Sequence, residues 1–130
     1  KSNDEEQRKL TIFNLDLFWS DPDPRGRLGC RKNDDRKMAC FFGADITQQF
    51  LKKYSLSMII RSHQVKQDGY EYAHDGKVLT VFSASNYCGG SNWGAVVDGE
   101  RQIRKNDEEP WIISFKTQAV EMEKLSLSKQ

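Results

Sequence analysis

Met58-Ile59-Ile60-Arg61-Ser62-His63-Gln64 is an apolar run that breaks abruptly into arginine, serine, histidine and glutamine. Val78-Leu79-Thr80-Val81-Phe82 does the same further on, ending in Ser83-Ala84-Ser85-Asn86-Tyr87-Cys88. A buried strand looks like this when it delivers side chains to the rim of a sheet. Loops at such rims, held by a rigid scaffold, are where catalytic and binding groups concentrate. The two stretches therefore predict a sheet with chemistry at one edge.

Between them, Gly69-Tyr70-Glu71-Tyr72-Ala73 and Lys77 to Phe82 flank His74-Asp75-Gly76. Asp-Gly between two strand-like runs is a strong hairpin signal, and it places His74 on a surface turn. Upstream, Ile46, Phe50, Leu51 and Tyr54 fall on one face of a helix that ends near Lys53 or Tyr54. Asp45 or Thr47 is a suitable cap, and the aromatic face reads as core. Ahead of the helix, Ala39 to Gly43 is a short apolar segment, and Arg25 to Met38 is a charged, glycine-containing loop. An arginine at the edge of such a loop could clamp a phosphate through its planar fork. Composition alone does not say which arginine, and a plain solvated loop is the default reading.

Leu10 to Phe13 and Leu15 to Trp19 are dense in aromatic and aliphatic groups, and the second run reads as a buried strand stopped by Ser20-Asp21-Pro22-Asp23-Pro24. Asp21 then sits at a strand end, either orienting a neighbour or metal or serving as an Asx-type turn residue before proline. Lys1 to Lys9 is a polar lead-in expected to be unstructured. Downstream, Asn92 to Val97 begins a strand turned at Asp98-Gly99, Glu100 to Pro110 is loop-like, and Trp111 to Phe115 is a last strand. The expected partition is a lead-in over 1–9, a folded part over 10–117 and a flexible tail over 118–130. One helix and about six strands joined by short turns predict an α+β fold with a largely antiparallel layer.

Hydrophobic residues make up 37% of the 130 positions, enough for a core in one domain or a piece of one. Twenty basic and nineteen acidic residues nearly cancel, so charge points neither to nucleic acid nor to an anionic membrane. No apolar run approaches the ~20 residues of a membrane span. Three widely spaced cysteines, Cys30, Cys40 and Cys88, lack zinc-site spacing and read as free thiols. That suits a reducing compartment, cytoplasmic or nuclear. The missing initiating methionine fits an excised piece of a longer chain.

Several motifs occur in order and in register. They are Leu17-Phe18-Trp19-Ser20-Asp21-Pro22, Asn33 to Arg36 leading to Phe42-Gly43, Ile60-Arg61-Ser62-His63-Gln64 with Asp68-Gly69-Tyr70-Glu71, and Phe82 to Cys88 with Asn92 to Ala95. Over roughly residues 10 to 117 this series resembles the C-terminal half of the metal-dependent serine/threonine protein phosphatases of the PPP family. Ser83-Ala84-Ser85-Asn86-Tyr87, His74-Asp75-Gly76-Lys77-Val78 and Gly90-Ser91-Asn92 look most like the EF-hand-containing, retinal-degeneration-C-type branch.

The resemblance implies the β-sandwich half of a metallophosphoesterase-like fold with a flanking helix. In the complete domain it implies two divalent metal ions (Mn, Fe or Zn) whose activated hydroxide attacks the phosphomonoester. Position by position, His63 would be a metal ligand, Arg36 would hold the phosphate oxygens, and Tyr87 would line the phosphate pocket. Asp21 and Arg61 would be structural groups of the catalytic site. Phosphoserine and phosphothreonine proteins would be the substrates, with room for regulatory protein partners. The chain departs from the pattern at Lys37, where the family typically has glycine. The family's other metal-binding motifs, Gly-Asp-x-His-Gly, Gly-Asp-x-x-Asp-Arg-Gly and Gly-Asn-His-Glu, are absent, as is any EF-hand loop. The expected function is the C-terminal portion of a phosphatase that needs its N-terminal half. The alternative is a non-catalytic binding or regulatory module derived from that fold.

Overall fold

The computed structural model describes residues 2–102 and 112–120. The chain divides into two compact units, one of residues up to Gln64 with Tyr72–Thr80, the other of Val65–Glu71 with the remainder from Val81.

The first unit opens with helix α1, Ser2–Trp19. This corrects the reading of Leu15–Trp19 as buried strand, and the helix also takes in residues expected to be unstructured. Local chemistry favours the helix. Asp4 and Glu5 in the first turn meet the positive end of its dipole, and Glu5 pairs with Lys9 one turn on at 2.8 Å. Leu10, Ile12, Phe13, Leu15, Leu17 and Phe18 are all exposed, so density of apolar residues was no sign of burial here. The helix ends where Ser20 N–H donates back to the Asp16 carbonyl and Pro22 follows.

Strand β1 (Asp21–Pro22) runs parallel to β3 (Cys40–Phe42), which pairs antiparallel with β2 (Cys30–Lys32), giving the order β1-β3-β2. The proline lies on an edge strand, where its missing N–H is tolerated. The segment read as one charged loop is therefore a short hairpin, closed where Asn33 N–H donates to the Ala39 carbonyl.

Helix α2, Ala44–Tyr54, follows as expected, but its ends differ in detail. Gly43 is the N-cap with no side-chain bond, while Asp45 accepts the Gly29 N–H at 2.8 Å and ties the hairpin to the helix start. Ser55 in left-handed conformation closes the C-terminus. Of the face read as core, Leu51 is buried, whereas Phe50 and Tyr54 stack on each other in the open. The buried turn-mate is Thr47.

Strand β4 (Ile59–Arg61) lies parallel to β6 (Val78–Val81), and with β5 (Tyr70–Ala73) makes a sheet in the order β4-β6-β5. Both three-stranded sheets thus contain a parallel pair, where a largely antiparallel layer was expected. The β5–β6 turn has Asp75 and Gly76 both at positive φ, closed by Lys77 N–H to the His74 carbonyl, the primed geometry that matches strand twist. Val78 and Leu79 are fully buried and, with Phe41 and Leu51, form the apolar core of this unit.

In the second unit, β7 (Gly94–Gln102) pairs antiparallel with β8 (Ile112–Val120) over nine registered positions. The turn expected at Asp98-Gly99 is absent, because both residues continue the ladder opposite Lys116 and Phe115. Likewise β8 extends past Lys116, where a tail was expected; Trp111 and residues 121–130 lie outside the described residues. The start of β7 is sewn in by backbone bonds: Ala95 N–H to Phe82, Phe82 N–H to Gly69, Trp93 N–H to Gln67. A Cβ on Gly94 would stand 2.4 Å from the Ser83 carbonyl oxygen, so only glycine permits this approach. Lys66 and Glu71 form an ion pair on the same unit.

Candidate active site

Asp21 is the hub of the first unit, 2% exposed and yet ionic. Its Oδ2 accepts Arg36 Nε at 2.5 Å and Asn33 Nδ2 at 2.8 Å. Its Oδ1 accepts Arg36 Nη2 at 3.1 Å and Arg61 Nη2 at 2.8 Å. Burial alone would push this carboxyl up. Hydrogen bonds from Arg36 and Asn33 and the charges of Arg36 and Arg61 outweigh it and hold the carboxyl below its ordinary value. Both lone-pair regions of each oxygen are in use, which is how a buried carboxylate stays charged.

The two arginines are used differently. Arg61 Nη1 donates to Gln64 and Thr80, and Nη2 donates to the Ser20 carbonyl as well as to Asp21, so both of its terminal nitrogens are spent on the protein. Burial presses its pKa down, with the Asp21 charge opposing. Arg36 spends Nε and Nη2 on Asp21 and on the His63 carbonyl at 2.6 Å. Its Nη1 carries no bond among the described residues, leaving two N–H groups for an anion. The guanidinium also lies over the Trp19 ring at 5.5 Å, which fixes its plane.

Trp19 carries the arrangement on to His63, whose ring meets it edge-on with centroids 4.5 Å apart. His63 is exposed, its φ of 75° is left-handed, and its ring nitrogens carry no hydrogen bond among the described residues. A non-glycine residue held there stores strain at the end of β4. Lys37, the departure noted beside Arg36, has φ 58°, so a lysine adopts the conformation for which glycine is the usual choice. Asn33 completes the loop by accepting Arg36 N–H at 3.1 Å.

Asp21, Arg36, Arg61 and His63 are thus brought together by side-chain and backbone bonds. Tyr87 lies in the second unit, on a short 3₁₀ turn (Tyr87–Gly89), half exposed and edge-on to Phe82 at 5.2 Å. Buried Asn92 clamps that turn: its Oδ1 accepts Tyr87 N–H at 2.9 Å and its Nδ2 donates to the Ala84 and Trp93 carbonyls. Asn92 and Asn33 are positioning residues that chemistry alone did not single out. An asparagine beside a polar loop, able to donate and accept at once, was the available signal.

Two assignments change. The Asx-turn alternative for Asp21 belongs instead to Asp23, whose Oδ1 accepts Arg25 N–H at 2.8 Å and whose carboxylate pairs with Arg27. His74, expected on the surface, packs edge-on to Phe42 and shares a 2.8 Å bond with Thr47 through Nδ1, leaving Nε2 buried and unbonded. Burial lowers its pKa against the pull of Asp23, Asp75 and Asp45.

Among the described residues no three His, Cys, Asp or Glu side chains come together to hold a metal. His63, exposed and with unbonded ring nitrogens, fits one position in a coordination sphere whose other ligands would come from elsewhere.

Known proteins to which the chain is similar include serine/threonine protein phosphatases. It is 57% identical over 84 residues to the serine/threonine-protein phosphatase with EF-hands 1 of Rattus norvegicus, a match covering 64% of this chain and 13% of that protein. To the serine/threonine-protein phosphatase rdgC of Drosophila melanogaster it is 38% identical over 117 residues, covering 89% of this chain and 17% of the other. Among solved structures, a protein serine/threonine phosphatase from Saccharomyces cerevisiae, described as similar to human phosphatase PP5, shares the fold. It superposes with a TM-score of 0.58 at 35% identity over 83% of this chain and 34% of that one. A scan against protein-family models finds no match. The motif resemblance is therefore borne out: this is an α+β segment related to the PPP-family phosphatases, with the EF-hand and rdgC kinds among its relatives. The chain spans less than a fifth of the length of these curated relatives.

Proposed function

We propose that this chain is the phosphate-clamping portion of a serine/threonine phosphatase catalytic domain, acting on phosphoserine and phosphothreonine proteins. The observation that supports it best is the setting of Arg36. Asp21 and the His63 carbonyl hold one edge of the guanidinium, and its Nη1 edge, unbonded among the described residues, is open to a phosphate oxygen. Preorganised donors of this kind cost no rearrangement when charge develops on the transferring group. Arg61 holds Asp21 in place, and the family resemblance gives Tyr87 the part of a single hydroxyl donor to phosphate. Asp21 is a positioning residue, since its oxygens are engaged with Arg36, Asn33 and Arg61.

His63 would hold one of two divalent ions, of the Mn, Fe or Zn kind, and such ions supply Lewis acidity and an activated water. One imidazole cannot hold both, so the chain alone is expected to be inactive on phosphoproteins and small phosphate esters. Cytoplasmic or nuclear residence and binding of regulatory proteins complete the proposal. A reading as a binding module without catalysis is favoured by one observation, the lone candidate ligand among the described residues. A manganese titration of the purified chain, by calorimetry and with a chromogenic phosphate ester, tests the reading. Silence is expected; turnover well above a His63→Ala control would show that the ligand count is wrong.

A further inference from the structure

The Cys30 and Cys40 sulfurs lie 3.6 Å apart, joining the first residue of β2 to the first of β3. In the register Cys30 faces Phe42 and Cys40 faces Lys32, so the two cysteines are diagonal neighbours on one face of the hairpin. Cys30 is exposed and Cys40 is half-buried, with the Ser20 hydroxyl 3.4 Å from its sulfur. Both line one apolar cleft with Leu17, Phe42, Ile46 and Phe50. We propose that Cys30 and Cys40 are an oxidation site, forming an intrachain disulfide across the β2–β3 hairpin when a peroxide reaches them.

The chemistry balances with hydrogen peroxide as the oxidant. One thiol, as thiolate, attacks a peroxide oxygen to give a sulfenic acid and water. The second attacks that sulfur, expelling a second water and forming the S–S bond. The sulfurs must close from 3.6 Å to about 2.05 Å, and because diagonal strand neighbours lie about 7–8 Å apart, the hairpin backbone must draw in with them. Burial, with Cys40, Asp45 and Asp16 close by, pushes the Cys30 thiol up to about 11. Cys30 is therefore mostly protonated near neutrality, so peroxide attack through its thiolate is slow, unlike that of a low-pKa catalytic cysteine. The new bond would close the segment 31–39, which carries Asn33 and Arg36. Any effect on turnover rests on the phosphatase reading, whereas formation of the bond does not.

The test treats the folded chain with hydrogen peroxide, blocks remaining thiols by alkylation, and maps tryptic peptides without reduction. The expected result is peptide 28–31 linked to peptide 38–52, lighter by two hydrogens than their sum, and restored by dithiothreitol. In Cys88→Ser the link should persist; in Cys30→Ser, Cys40 should proceed to sulfinic acid or remain alkylatable. Cys30 and Cys40 alkylated or over-oxidised without a link would overturn the proposal. So would a link that appears only after urea has unfolded the chain.

Discussion

Replacing Asp21 with alanine removes the one anion between two guanidinium groups, and the structure sets how much that should cost. Asp21 accepts four bonds, three of them from arginine, and its side chain is almost wholly buried, while Arg36 and Arg61 keep modest exposure. Breaking a buried ion pair from one side costs about 3–5 kcal/mol, because the partner is left charged and unpaired. Here two like charges are left facing each other, but water can reach both, so about 3 kcal/mol is expected for Asp21→Ala. Asp21→Asn, which keeps an acceptor oxygen for one donor, should cost about half as much. Urea unfolding followed by tryptophan fluorescence measures this, since Trp19 lies beside Arg36 and His63. Exposed Asp34→Asn should stay within about 0.5 kcal/mol as a control. The sign with pH is also fixed. The folded pKa is lowered, so the carboxylate's contribution is present above its unfolded value of about 3.9 and lost as pH falls through the folded value. Wild type and Asp21→Asn should therefore converge in stability only below about pH 4. A cost for Asp21→Ala no larger than that of Asp34→Asn would refute the hub.

In the complete protein His63→Ala should weaken one metal and lower turnover by more than the about 10- to 100-fold typical of outer-shell partners. Tyr87→Phe should be milder, about 3- to 10-fold in kcat/KM, since one hydrogen bond is lost; equal activity of His63→Ala and wild type would remove the ligand assignment. Gly94→Ala should destabilise the second unit by about 1–3 kcal/mol in thermal unfolding, because its Cβ would meet the Ser83 carbonyl at 2.4 Å. His74 has a folded pKa below its ordinary 6.5, so its contribution is present above that value and lost as pH falls. His74→Gln should flatten the stability profile between about pH 7 and 5, and an unchanged slope would show that His74 titrates as an exposed histidine.

Where the sequence was legible, a periodic signal and a local chemical signal agreed. Helix α2 had a helical apolar spacing from Ile46 to Tyr54, and the β5–β6 hairpin had Asp75-Gly76 between two strand-like runs. Helix α1 was missed because Leu15 to Trp19 is dense in aliphatic and aromatic residues, which mimics a buried strand, while the helix rests on acidic first-turn residues and a Glu5–Lys9 pair. The Asp98-Gly99 turn failed for the opposite reason. A strong local turn signal was overridden by a nine-position ladder with β8. At the site, Arg36 and His63 were legible only through the order of motifs; no spacing predicts that Arg36 would bond the His63 backbone. Asp21's function as a shared anion needed the tertiary contact with Arg61, forty residues away. His74 was misplaced because a turn residue is ordinarily exposed, whereas this one leans onto Thr47 and Phe42.

The central claim is that Arg36, held by Asp21 and His63, clamps phosphate in a catalytic domain completed from outside this chain. The most direct measurement exchanges this chain for the matching segment of the rat EF-hand phosphatase, to which it is 57% identical over 84 residues. The chimera and its Arg36→Ala variant are then assayed on a phosphoserine peptide with manganese. The account predicts metal-dependent turnover by the chimera and a loss of about 100-fold or more in kcat/KM for Arg36→Ala, the scale of removing one preorganised donor to developing charge. A folded chimera that turns over equally well with alanine at position 36 would contradict it.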